Sequence, residues 1–223
     1  MTARCDLRRF TISADITSYS DAWQTQSEPQ AAARARGSES GAWVPSQTGA
    51  ALLTALVAAT GARAVVEVGT GAGVSGLAIF GGMNDDGILT TIDADGNHQS
   101  AAKAALSAAG IDPGRARLIT GVPSEVLPRL TDGAYDAVVI NDLAPEPGLY
   151  LEQALRLLRA GGVVVFAGAL GEGSRASDPA QRDPQAVALR ELGDAAKANE
   201  ELVTALLPLD DGLLVAVKKG TES

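Results

Sequence analysis

The sequence has a single cysteine, Cys5, so it has neither a partner for an internal disulfide nor a thiolate set for zinc. A reducing, cytoplasmic setting is the expectation. Long apolar runs are also missing, and nothing approaches the ~20 residues of a membrane span. Arg4, Arg8 and Arg9 stand in the first ten residues without a following apolar segment, so no secretory leader is expected. There is no block of Lys or Arg, and the net charge is −9, so a nucleic-acid backbone would be repelled. Aromatic residues make up only 4%, too few to build base-stacking platforms. Histidine occurs once, as His98. These absences leave a small molecule as the expected partner, with no nucleic acid and no membrane.

What is present is a regular alternation. The 223 residues can bury one α/β core. We expect a single α/β domain over 43–223 and a helical or flexible arm over 1–42. Within the arm, the Ala-rich run Asp21–Arg36 favours a helix, with Pro29 at a start or a break. That arm could be a lid, a dimer arm or a frayed tail. Gly49–Thr60 reads as an apolar helix ending before Gly61. Strands follow at Ala64–Val68, Ile88–Asp93, Arg117–Thr120, Tyr135–Asn141 and Val163–Ala167. Between them lie helices at Val74–Gly82, Asn97–Ala109 (closed by Gly110), Ser124–Leu130 and Leu149–Arg159, the last capped by Gly161-Gly162. Units of this length give a parallel sheet with helices on both faces. The end breaks the rhythm. Leu202–Pro208 and Leu213–Lys218 are separated only by Leu209-Asp210-Asp211-Gly212, too short for a crossover helix, so these strands must be antiparallel.

The chemistry concentrates in Val65–Gly76, VVEVGTGAGVSG. Gly71, Gly73 and Gly76 spell the dinucleotide pattern G-x-G-x-x-G. Glu67, Gly69, Gly71 and Gly73 spell E-x-G-x-G-x-G, the first motif of S-adenosylmethionine (SAM) methyltransferases. Either ligand would use glycines for close approach and the free N–H groups of a helix start. An acid at the strand end, Glu67, opposes a pyrophosphate and suits a cationic amino acid group. Asp93 ends the second strand at the distance expected of a ribose-binding acid, with a helix cap as its bland alternative. Ser75 could cap the helix or touch a ligand carboxylate. With the terminal hairpin, these features favour SAM over NAD, and an NAD-dependent oxidoreductase becomes the weaker reading.

The stretches Val66–Gly76, Gly87–Asp93, Tyr135–Asn141, Tyr150–Gly162 and Leu207–Gly212 resemble the catechol and caffeoyl-CoA type O-methyltransferases, small bacterial members above all. The resemblance runs from about Trp43 to Lys218. It implies a class I, Rossmann-like three-layer α/β sandwich: a mostly parallel seven-stranded sheet with a C-terminal antiparallel hairpin. It also implies a homodimer, and SAM contacts at Pro45, Glu67, Gly69, Thr70, Gly71, Ser75, Asp93, Ala94 and Pro123. The family's metal half is not matched. Its acidic and amide ligands after strands four and five fall here on Asn141, Ala167 and Gly168, and a further acid that helps hold SAM falls on Leu143. One amide with an alanine and a glycine cannot supply the several oxygens a hard cation needs, so no metal is expected. Asp142 and Glu146 stand near enough for a displaced site.

Without an ion, transfer must rest on proximity with a general base or an already acidic acceptor. Asn141 and Asp142 lie nearest the expected methyl position, and Asp142 is the base candidate. His98 belongs at the adenine end. The loop Gly171–Pro184 follows strand five, where acceptor loops sit. Its Arg175 and Arg182 could meet an anionic substrate or pair with Asp178 and Asp183. Trp23 and Trp43 are candidate substrate walls, Trp43 the better placed. The expectation is a SAM-dependent O-methyltransferase for a small-molecule hydroxyl, the alternative a SAM-binding protein that has lost catalysis.

Overall fold

The computed structural model describes residues 14–143 and 146–220, with side chains from residue 16 onward. Cys5 and the three arginines near the start lie outside the described residues.

Seven strands form one sheet in the order β3-β2-β1-β4-β5-β7-β6. They are β1 (Ala64–Val68), β2 (Ile88–Asp93), β3 (Ala116–Thr120), β4 (Tyr135–Ile140), β5 (Leu158–Phe166), β6 (Leu202–Leu207) and β7 (Leu213–Lys218). The first five run parallel; β7 is antiparallel to both β5 and β6. The helices are α1 (Ala14–Trp23), α2 (Glu28–Ser40), α3 (Gln47–Ala59), α4 (Val74–Gly82), α5 (Gly96–Ala108), the single turn α6 (Pro123–Val126), α7 (Pro147–Leu157) and α8 (Pro184–Ala198).

The inner strands read as near-continuous apolar runs because both faces of the sheet are covered there. Val65, Leu89, Val139 and Val165 pack on one face with Leu53, Val57 and Ile79 of α3 and α4. Val66, Ile92, Ile140, Val164 and Phe166 pack on the other with Leu151, Leu157 and Leu189 of α7 and α8. The order reverses between β1 and β4, where the crossovers diverge to opposite sides and open a crevice beyond the strand ends.

The expected alternation and the terminal hairpin are both present, with local differences that have causes. The run 21–36 is two helices, since Pro29 sits in the first turn of α2 and Ser27 caps it, its side chain accepting from the Gln30 N–H. The segment expected as a helix over 124–130 is α6 followed by a 3-10 turn at Leu127–Arg129 that contains Pro128. Helix α7 stops at Leu157 rather than at the Gly161-Gly162 pair, and β5 begins at once. Arg159 secures that early start. Its Nε donates to Asp136 Oδ1 at 2.6 Å and its Nη2 to the Thr60 carbonyl at 3.0 Å, tying the chain to the base of β4. The hairpin also inserts β7, not β6, beside β5, leaving β6 at the edge.

Candidate functional site

The turn after β1 is shaped by alternate glycines. Gly69, Gly71 and Gly73 have φ of 83°, 50° and 89°, the left-handed region that favours glycine. At Gly73 the reason is also packing, because a Cβ there would lie 2.9 Å from the Ala102 Cα of α5. The turn therefore sits directly on α5 and delivers the chain into α4.

Strand parity sets the chemistry beneath it. Glu67 pairs with Thr91 on β2 and Val139 on β4, and Asn141, two residues on, points to the same face. Helix α4 starts over that face, and Ser75 is in its first turn. Glu67 is completely buried, and an unpartnered carboxylate there would cost several kcal/mol. It is met by Thr91, whose Oγ1 donates to Oε2 at 2.6 Å, by Asn141, whose Nδ2 donates to Oε1 at 3.2 Å, and by Ser75. Because the single Thr91 hydroxyl proton goes to Glu67, Thr70 must donate to Thr91 across their 2.6 Å contact. Gln99 Nε2 in turn donates to Thr70 Oγ1 at 3.0 Å. All these donors converge on one carboxylate. Burial nevertheless pushes Glu67 up to about 7, the hydrogen bonds from Ser75, Thr91 and Asn141 opposing that rise. At the far end of the chain Gln99 Oε1 is buried without a hydrogen-bond partner.

Outside the turn, a cleft of about 210 Å³ is lined by Gly41, Ala42, Trp43, Gly69, Gly71, Asp93, His98, Asn141 and Asp142. Asp93 is held firmly: Oδ2 accepts from the Gly71 N–H at 3.1 Å, Oδ1 from the Asp95 N–H at 2.9 Å, and His98 Nδ1 lies 3.1 Å from Oδ2. The charged groups of this lining are acids, with neither Lys nor Arg among them. A cationic ligand fits such a cleft and a pyrophosphate does not. A larger cavity of about 430 Å³ lies between α8 and β6. It lacks the glycine turn and the strand-end acids, so chemistry rather than size assigns the site.

Of the residues expected at the site, Gly69, Gly71, Asp93, Asn141 and Asp142 come together on the cleft wall, with Trp43 and His98. Glu67, Thr70 and Ser75 lie behind the turn as its buried support. Ser75 does not cap α4, whose N-cap is Gly73, with no side-chain cap bond. Pro45 is buried, and its carbonyl accepts from Arg34 Nη1. Ala94 is exposed just past Asp93, and Pro123 is half-buried at the start of α6. Gly41 and Ala42 line the cleft without any signal in the sequence that marks them. Trp23 is 71% exposed on α1 and away from this wall. In the loop after β5, Arg175 pairs with Asp183 at 3.0 Å, and Asp183 also caps α8 through the Ala186 N–H at 2.9 Å.

Asn141, Ala167 and Gly168 stand at the positions matched to the family's metal ligands. Asn141 turns its amide nitrogen toward Glu67, and Ala167 and Gly168 offer no side-chain oxygen. Among the described residues no group of three or more His, Cys, Asp or Glu could hold an ion, and no helix is long and apolar enough to cross a membrane.

A family model described as O-methyltransferase matches residues 32–219. A protein of Mycolicibacterium smegmatis that carries an O-methyltransferase designation is 49% identical over 189 residues, 84% of this chain and 89% of that one. A counterpart in Mycobacteroides abscessus is 44% identical over 203 residues, 91% and 94% of the two chains. Among solved structures, a protein from Corynebacterium glutamicum aligns with a TM-score of 0.86 at 30% identity, covering 93% of this chain and 97% of that one. The O-methyltransferase TomG of Streptomyces achromogenes, solved in complex with SAM, aligns with a TM-score of 0.81 at 23% identity over 91% and 95%, a likeness of fold.

Proposed function

Since this chain belongs to the O-methyltransferase family, we propose that it methylates the hydroxyl of a small molecule at the cleft beside Asn141 and Asp142, without a divalent ion. It is a SAM-dependent methyltransferase. The observation that carries the reading is the acid-lined cleft under a three-glycine turn, with Asp93 fixed at the end of β2.

SAM, when bound, supplies an electrophilic methyl group on a sulfonium. The chain's own residues bind and orient. Asp93 is the acceptor for the ribose. A carboxylate offers about four acceptor positions, and three are engaged by Gly71, Asp95 and His98. One ribose hydroxyl can be taken as the residues stand, and a second requires His98 to swing aside. The glycine turn provides backbone N–H groups, while Pro45, Ala94 and Pro123 border the segments next to it. Glu67, Thr70 and Ser75 act on the donor through the turn they support. Trp43 walls the cleft on the side of α2. Asp142 stands at the carboxyl end of β4, where it accepts the acceptor hydroxyl's proton as the oxygen attacks. The metal-free part of the reading is supported by the donor set at 141, 167 and 168. The net charge of −9 disfavours nucleic acid and leaves a small molecule as the partner; a homodimer in which the helices before Trp43 serve as the arm belongs to the same reading.

The alternative is a protein that binds SAM and no longer transfers the methyl group. Incubation with SAM and a panel of phenols, catechols and hydroxy acids, in EDTA or in Mg²⁺, separates the two. A methylated product formed in EDTA is expected. Turnover only with Mg²⁺ would sink the metal-free part, and S-adenosylhomocysteine (SAH) binding with no product on any acceptor would leave the alternative standing.

A further inference from the structure

Asn141 lines the cleft, but its amide nitrogen is committed elsewhere. Its Nδ2 lies 3.2 Å from Glu67 Oε1, 3.0 Å from the Gly69 carbonyl and 3.0 Å from Ser75 Oγ. The Gly69 carbonyl can only accept, so the amide nitrogen, not the amide oxygen, must face it and the two oxygens beside it. Two N–H groups thus serve three acceptors on three successive pieces of the motif: the end of β1, the first glycine of the turn and the first turn of α4. The backbone adds a further tie, since the Asn141 N–H donates to the Val68 carbonyl at 2.8 Å.

We propose that Asn141 is a positioning residue, an amide clasp that holds Glu67, Gly69 and Ser75 together from β4 and thereby fixes the shape of the turn that receives the donor. The inference rests on reading this cleft as the cofactor site; it does not depend on metal independence. Donor character is essential. An aspartate at this position would offer no hydrogen to any of the three acceptors and would place a second carboxylate against a fully buried one. An alanine would only remove the clasp. Loss of the donor and gain of a charge are therefore separable effects, and the aspartate is the worse of the two. Gly69 shows how closely β4 is applied to the turn: a Cβ on it would lie 3.0 Å from the Asp142 nitrogen and 3.2 Å from the Asn141 Cβ.

The test uses the full chain with SAH as the probe, titrated calorimetrically, and thermal melting with and without Mg²⁺ or Ca²⁺. Asn141→Ala is expected to weaken SAH binding about tenfold, the scale of one to two net hydrogen bonds, and Asn141→Asp to weaken it further. Replacing Glu67 by Gln in the Asn141→Asp background removes the second carboxylate and is expected to recover affinity and melting temperature relative to Asn141→Asp alone. Two results would overturn the proposal: Asn141→Asp binding SAH as well as Asn141→Ala, or a divalent cation restoring Asn141→Asp, which would make the position a latent ligand. If Asn141→Asp does not fold, the cycle of Asn141→Ala with Ser75→Ala, which removes one of the three acceptors, decides. Strict additivity of the two losses would reject the clasp, whereas a double variant little worse than either single supports it. Wild-type turnover that requires Mg²⁺ would count against the metal-free reading and leave this one intact.

Discussion

At the scale of single residues, the buried carboxylate makes stability depend on pH. Glu67 is pushed up to about 7 by burial, whereas in the unfolded chain it titrates near its ordinary 4.5. The folded state then holds its proton more tightly, so the stabilising contribution is complete below about 4.5 and is lost as pH rises through about 7. A shift of that size corresponds to roughly 3 kcal/mol. Melting of wild type against Glu67→Gln from pH 4 to 8 should show wild type losing stability relative to the variant over that window. A constant difference across the range would contradict it. Asp93 is proposed as a ligand group. Asp93→Ala should weaken SAH by about 10- to 100-fold, the worth of a charge-assisted hydrogen bond of ~1.5–3 kcal/mol, and unchanged calorimetric affinity would remove it from the site. Both acids could be found in the sequence because each stands at or next to the end of an apolar strand, where an acid is out of place unless it binds something. Which of them faces the cleft could not, because that depends on where α4 lies above the sheet and β4 beside β1.

At the scale of elements, the short connection between β6 and β7 does more than reverse the chain. Asp210, Asp211 and Gly212 all have positive φ, at 50°, 56° and 94°, an arrangement that costs non-glycine residues about 1–2 kcal/mol each. The conformation is held because the turn is wedged between the start of α3 and the segment after β5. On one side Asp210 Oδ1 accepts from the Ser46 N–H at 2.9 Å, joining Ser46 Oγ and Asp21 Oδ1 in capping α3. On the other, the Asp211 and Gly212 carbonyls accept from Leu170 and Ala169 at 2.8 Å. A Cβ on Gly212 would lie 2.8 Å from the Leu170 nitrogen. Gly212→Ala should therefore lower the melting temperature by about 5–10 °C, from strain of ~1–3 kcal/mol and the clash together. Asp210→Ala, a lost cap of about 1 kcal/mol, should lower it by about 2–4 °C. Equal effects of the two substitutions would mean that the Leu170 contact relaxes freely. The hairpin itself was legible from four residues, since no crossover fits in that length. Its tie to Ser46, 164 positions away, was not.

At the scale of the whole molecule, binding should appear as stabilisation. SAH at a hundred times its dissociation constant adds about 2.7 kcal/mol, which for a chain of this size is a rise of roughly 5–10 °C in melting temperature. An oxidised nicotinamide dinucleotide should give none. The reverse result would move the assignment to the other ligand that the glycine pattern allows. The molecule's acidity belongs at this scale too. At a net charge of −9, duplex DNA should produce no mobility shift at physiological salt, since phosphate contacts need clustered cations.

The sequence by itself determined the layer architecture, the parallel run, the antiparallel end and the glycine turn, because these follow from local periodicity, loop length and the φ that only glycine adopts easily. It also showed which metal-ligand types were missing, since that is a matter of side-chain inventory. Only the tertiary structure decided that β7 pairs with β5, that Gly41 and Ala42 reach the cleft, and that Asn141 spends its amide nitrogen on Glu67, Gly69 and Ser75. Those facts depend on distances between residues far apart in the chain, and a pattern of residue types along one strand carries no information about what packs above it.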